Sequence, residues 1–140
     1  MQAAVTGNDR AQVGIEYLFL TGFLLVVIAA AVIYALFVYN GAVANSAMVD
    51  SLEEIEQAVN YVHALGPGSS IVVEIDLPTG VVDGKGENNT VDYNVDIGNT
   101  MTYYYTVVDG NIARTSMPVI VGRHLLNISM VNDQIIIREA

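Results

Sequence analysis

The sequence predicts an α+β fold: a long N-terminal hydrophobic α-helix followed by a small antiparallel β-sheet head domain. Three observations carry that expectation. Residues 17 to 49 hold no charged side chain, and the run from Leu18 to Tyr39 is apolar except for Thr21 and two tyrosines. Leu52, Ile55, Val59 and Val62 then recur at spacings of three and four, with Glu53, Glu54, Gln57 and Asn60 facing away from them. From Ser70 onward the apolar period changes to two, and turn residues punctuate it.

Composition narrows the function. At 140 residues the chain has room for one ordinary domain. Its 5 Lys+Arg against 15 Asp+Glu give a net charge of −10. Phosphate binding needs clustered basic side chains, so nucleic acid is not an expected partner. There is no cysteine, which excludes disulfides, thiolate catalysis and cysteine-based metal sites.

The first element is the apolar helix. The 22 residues from Leu18 to Tyr39 span about 33 Å as a helix, enough to cross the roughly 30 Å hydrocarbon core of a bilayer. As a buried core helix it would need wrapping on all sides, which the remaining 91 residues from Asp50 onward are too few to provide. A cleaved secretory signal has a candidate site, Ala42-Val43-Ala44 before Asn45. Against it, the apolar run is longer than such signals use, and the leader's Arg10 is neutralised by Asp9 where a positive region is expected. Two readings remain: a single-span anchor, and a span whose leader is cut off in front of it.

Glu16 separates these two. A carboxylate at membrane depth costs on the order of 2.5 to 3.5 kcal/mol, so it is usually there for a partner. A cut between Ala11 and Gln12 would create a new α-amine at the head of the same helix and make Glu16 the fifth residue. In a bundle of such helices, staggered by a few residues, one chain's amine would neutralise its neighbour's Glu16. Such a pair acts as a register device, because leaving either charge alone in an apolar surround is far worse than pairing it.

The string R-A-Q-V-G-I-E-Y-L, set directly before the apolar run, resembles the processing motif of archaeal type IV pilins with class III signal peptides. The resemblance covers about the first forty residues. It implies cleavage between Ala11 and Gln12 by a prepilin-peptidase-like membrane aspartic protease, with Arg10, Ala11, Gln12 and Gly14 forming the recognised site. Gly14 departs from the family, which often has serine there. The resemblance further implies that Gln12, Glu16 and Tyr17 serve subunit assembly, and that a cytoplasmic ATPase drives extraction of the helix from the membrane. The expected domains are a leader at 1–11, a helix at 12–66 with an apolar part at 17–49 and an amphipathic part at 50–66, and a β head at 67–140.

The helix is expected to stop at Leu65-Gly66-Pro67-Gly68, glycine ending it and proline barring its continuation. Gln12 to Leu65 could form one helix of roughly 80 Å, with Asn40-Gly41 as the expected bend; two helices and a short linker are the alternative. Ile71, Val73, Ile75 and Leu77 share one face of a first strand. The stretch from Asp83 to Asn89 reads as an exposed loop, and Val91, Tyr93, Val95 and Ile97 alternate with Asp92, Asn94 and Asp96 before a Gly-Asn-Thr turn. Asp109-Gly110 reads as a hairpin turn, and Asn132-Asp133 as the turn of a closing hairpin. Five or six short antiparallel strands result.

Sites of chemistry are few. Asp92 to Asp96 invites a calcium reading, but an EF-hand loop needs glycine and an acid where Ile97 and Tyr103 stand. His63 and His124 are far apart in sequence with no third ligand at useful spacing, so they read as ordinary helix-surface and strand residues. With no phosphate loop or nucleophile elbow in the sequence, no enzyme, metal or cofactor is expected. Asn88 and Asn127 head N-glycosylation sequons, the first in the expected loop and the second inside a strand. Of the three adjacent tyrosines, Tyr104 lies off the face of Tyr103 and Tyr105 and is the one expected to be exposed, as suits adhesion, although sheet stabilisation is the commoner use of such residues.

The chain is thus expected to be the precursor of a structural subunit of an archaeal surface filament, with copies of itself as partners and the cytoplasmic membrane as its home before assembly. An archaellin would be a nearby relative, less well matched because of the glutamate and the short head. The alternative from another class is an uncleaved single-span protein displaying the β head as a binding module.

Overall fold

The computed structural model describes residues 6–140, and side chains from Val13 onward. The elements are α1 (Thr6–Leu65), β1 (Ser70–Leu77), β2 (Val81–Ile97), β3 (Thr100–Ser116), β4 (Gly122–Val131) and β5 (Gln134–Glu139). The long helix and following sheet are those the sequence predicts. Helical structure continues through Asn40 and Gly41, where a bend was expected. The chain nevertheless divides there into two compact units, and each is described by itself.

The described residues of the first unit, 6–40, are helix. Every side chain from Val13 to Asn40 is exposed, so the helix presents an apolar surface on all sides.

The second unit begins at Gly41. Its part of α1 lays Met48, Leu52, Ile55, Val59 and Val62 against one face of the sheet. The facing residues include Ile75, Leu77, Val91, Tyr93, Ile112, Leu126, Ile128 and Ile135, all buried. Each fully buried aliphatic side chain here contributes roughly 1.5–3 kcal/mol. Ser51 is the one buried polar residue of this face among the described residues; its hydroxyl donates to the Asp76 carbonyl at 2.9 Å. Glu53, Glu54 and Gln57 face solvent as expected, whereas Asn60 is half-buried and its Oδ1 accepts the Asp109 N–H at 3.0 Å. The helix ends where glycine predicts: Gly66 takes φ 85°, and Ser69 Oγ donates to the carbonyls of Val62 and Gly66 at 2.9 and 2.7 Å. The Val62 carbonyl also accepts the Gly66 N–H at 3.1 Å, so the serine hydroxyl adds to the glycine cap that closes the helix.

The sheet order is β1-β4-β5-β3-β2. All neighbours are antiparallel except β3 and β5, which run parallel and pair at Ile112 and Ile135. The sheet is therefore mixed rather than wholly antiparallel. Strand direction alternates along the chain from β2 to β5, so β3 and β5 must point the same way once they become neighbours. Two hairpins close with two left-handed residues each, Gly98-Asn99 (φ 60° and 66°) and Asn132-Asp133 (φ 48° and 63°), the backbone that matches strand twist.

Two turn predictions fail, for one physical reason. Residues 83–89 are not a loop but part of β2, paired with β3 through Lys85–Ser116 and Gly86–Thr115, with register shifts on either side of Asn88. Asp109-Gly110 is not a turn but lies mid-strand in β3. In both places glycine is needed for close approach. A Cβ on Gly84 would stand 2.5 Å from Tyr93 Cε1, and a Cβ on Gly110 would collide with Ile135 Cδ1. With these segments absorbed, β2 and β3 each reach 17 residues rather than the short strands expected.

Candidate functional site

The candidate site is the exposed apolar helix of the first unit, with Glu16 at its edge. From Tyr17 to Tyr39 no side chain carries charge. Both tyrosines are open, at 70% and 65% exposure. Twenty-two residues apart in a helix, they are separated by about 33 Å, the spacing at which amphipathic rings sit at the two faces of a bilayer. Thr21 Oγ1 donates to the Tyr17 carbonyl at 2.8 Å, so this hydroxyl is satisfied within its own helix and needs no water. The segment can lie in lipid or against other apolar helices.

Glu16 is exposed and directly precedes Tyr17. Arg10, Ala11 and Gln12 lie on the helical backbone of α1, and their side chains lie outside the described residues, as do residues 1–5 of the expected leader. The expected boundary between residues 11 and 12 thus falls inside a helix. At Gly14 a Cβ would meet nothing within 4 Å, so this chain's own packing does not require a small residue there.

In the second unit, Asn88 is exposed at a β2 register shift with φ 57°, and Asn127 projects exposed from β4. Both sequon asparagines are open to solvent, although neither stands in a loop. The tyrosines are reversed from expectation. Tyr103 and Tyr105 point outward at 57% and 61% exposure, with ring centroids 5.8 Å apart. Tyr104 packs against the core and its hydroxyl donates to Asn45 Oδ1 at 2.8 Å.

His124 is the residue that sequence reasoning undervalued. Its ring sits between Glu139 Oε1 and the Ile120 carbonyl oxygen, 2.6 Å from each nitrogen. The hydrogen bond to Glu139 raises its pKa above the ordinary histidine value; burial opposes this, and the Ile120 carbonyl and the negative charges of Glu139 and Asp76 add to the rise. Glu139 follows 15 residues later across a hairpin, and no local pattern announces the pair.

No protein-family model, no curated protein and no solved structure matches this chain.

Proposed function

We propose that the chain is the precursor of a structural subunit that polymerises through its N-terminal helix into an archaeal, type IV pilin-like surface filament, serving attachment. The observation that carries this reading is the exposed, uncharged helix from Tyr17 to Asn40 with a single carboxylate at its edge. Moving such a helix from lipid into a bundle of identical helices gains little hydrophobic energy, since both surroundings are apolar. Register must then come from shape and from a polar contact, and Glu16 supplies the carboxylate for it. A leader removed between Ala11 and Gln12 supplies the complementary amine in a neighbouring copy. The acidic head faces outward, with Asn88 and Asn127 as glycan acceptors.

A second reading, an uncleaved membrane-anchored protein displaying the β head, is favoured by the tyrosines at both ends of the span. Intact-mass spectrometry of the protein from the native cell-surface fraction decides between them. Filament processing predicts a chain beginning at Gln12, cyclised or not. A chain beginning at Met1 or Gln2 identifies an anchor and ends the filament reading, as does one beginning at Asn45.

A further inference from the structure

The outer face of the β2–β3 hairpin carries a surface that neither reading uses. On β3, four successive outward positions are large and exposed: Met101, Tyr103, Tyr105 and Val107. At two residues per outward step they form a row about 20 Å long. Antiparallel register places Asp96 directly beside Met101, Asn94 beside Tyr103 and Asp92 beside Tyr105, at cross-strand distances of roughly 5 Å. β2 is the last strand of the sheet, so no further strand lies beside the acidic side of this row; along that edge the Gly80 carbonyl accepts the Asp96 N–H at 2.7 Å, and the Asp96 side chain is exposed.

We infer that this face docks a cationic polypeptide segment, one whose lysine or arginine side chains lie over the tyrosine rings and reach the two aspartates. Aromatic faces attract cations through the ring quadrupole, and adjacent carboxylates add a charge of the matching sign. The stacked Tyr103 and Tyr105 rings offer two such faces in series. Cations of the head that form ion pairs do so elsewhere: Lys85 with Asp83, Arg114 with Glu87 and Arg123 with Glu74. With 5 Lys+Arg against 15 Asp+Glu, a copy of this chain is a poor source of the partner charge. Ordinary sheet stabilisation accounts for cross-strand tyrosine contacts, but not for an apolar row left open beside two carboxylates, of which only Asp92 feels a cation of the head, Lys85, in a resolved interaction. The surface belongs to the head alone, so the inference does not depend on filament formation.

The test is calorimetric titration of the full chain, held in zwitterionic-detergent micelles at low salt, with a lysine decapeptide. Tyr103→Thr with Tyr105→Thr keeps strand propensity at exposed positions, and circular dichroism checks the fold. This pair should weaken binding about tenfold, the sum of two exposed cation–π contacts. Asp92→Asn with Asp96→Asn should weaken it further than Glu53→Gln with Glu54→Gln, which removes the same charge from the helix surface. Equal losses from the two acid pairs, or unchanged binding by the tyrosine variant, would reduce the effect to net charge and overturn the inference. Self-association of the chain that the tyrosine variant abolishes would assign the face to a second copy, and would overturn it too.

Discussion

His124 Nδ1 lies 2.6 Å from Glu139 Oε1, and the other ring nitrogen lies 2.6 Å from the Ile120 carbonyl. Both neighbours are acceptors. A neutral imidazole has one N–H and can serve only one of them; the imidazolium serves both. The arrangement ties the segment before β4 to the end of β5, and it is complete only when the ring is charged.

The sign of the pH effect follows. The folded-state pKa of His124 is raised, chiefly by the Glu139 hydrogen bond. Its contribution to stability is therefore fully present below the unfolded value of about 6.5, and is lost as pH rises from there through the folded value. The melting temperature of the head should fall by a few degrees over that interval, and His124→Phe should flatten the dependence. A proton NMR titration placing the His124 midpoint at or below the ordinary histidine value would refute this.

Gly110 should tolerate no side chain. In Gly110→Ala the new methyl meets the Ile135 δ-methyl, so this fully buried side chain must shift within the packed core. Overpacking of this kind costs roughly 1–3 kcal/mol. Ile135→Val removes the colliding δ-methyl, so the double variant should recover part of the loss and give a non-additive cycle in urea unfolding. Simple additivity would show that strand propensity, not the collision, sets the cost.

The same glycine explains what the sequence disclosed and what it hid. Helix and strand faces were legible because Ile55, Val59 and Val62, or Val73 and Ile75, obey a period that only one element satisfies. Asn132-Asp133 was legible because two left-handed residues in succession have few other uses. Gly110 and Gly84 were misread because glycine serves a turn and a close approach equally well in sequence, and only the position of Ile135 or Tyr93 separates the two. The outward turn of Tyr103 follows from the Gly98-Asn99 hairpin: pairing Ile97 with Thr100 puts Tyr104 opposite Tyr93, and Tyr93 is buried. In the candidate site, the open placement of Glu16 and Tyr17 was legible from charge spacing alone. The pairing of His124 with Glu139 was not, since it depends on how β4 and β5 fold back on each other.

Replacement of Glu16 tests the proposed assembly role directly. Glu16→Ala removes a charge from the edge of an apolar helix, so membrane insertion should be unimpaired or improved. Filaments should be absent or irregular by electron microscopy of the cell surface, while the unassembled protein accumulates in the membrane fraction. Normal filaments from this variant would remove the ion-pair account of register.

Tyr93 offers a prediction of the opposite sign. Its ring is fully buried against Gly84, and its hydroxyl has no hydrogen-bond partner in the protein among the described residues. Burial also pushes its pKa up, so the group stays neutral at any physiological pH. A buried hydroxyl with no partner loses its hydration without recompense, at a cost of roughly 1–3 kcal/mol. Phenylalanine keeps the ring that fills the space over Gly84 and deletes only the oxygen. Tyr93→Phe should therefore leave the head as stable as the parent or raise its melting temperature, whereas Tyr93→Ala should cost about 3–5 kcal/mol by leaving a cavity. A marked loss of stability in Tyr93→Phe would mean that the hydroxyl is satisfied in solution, by a buried water or by a rotated neighbour.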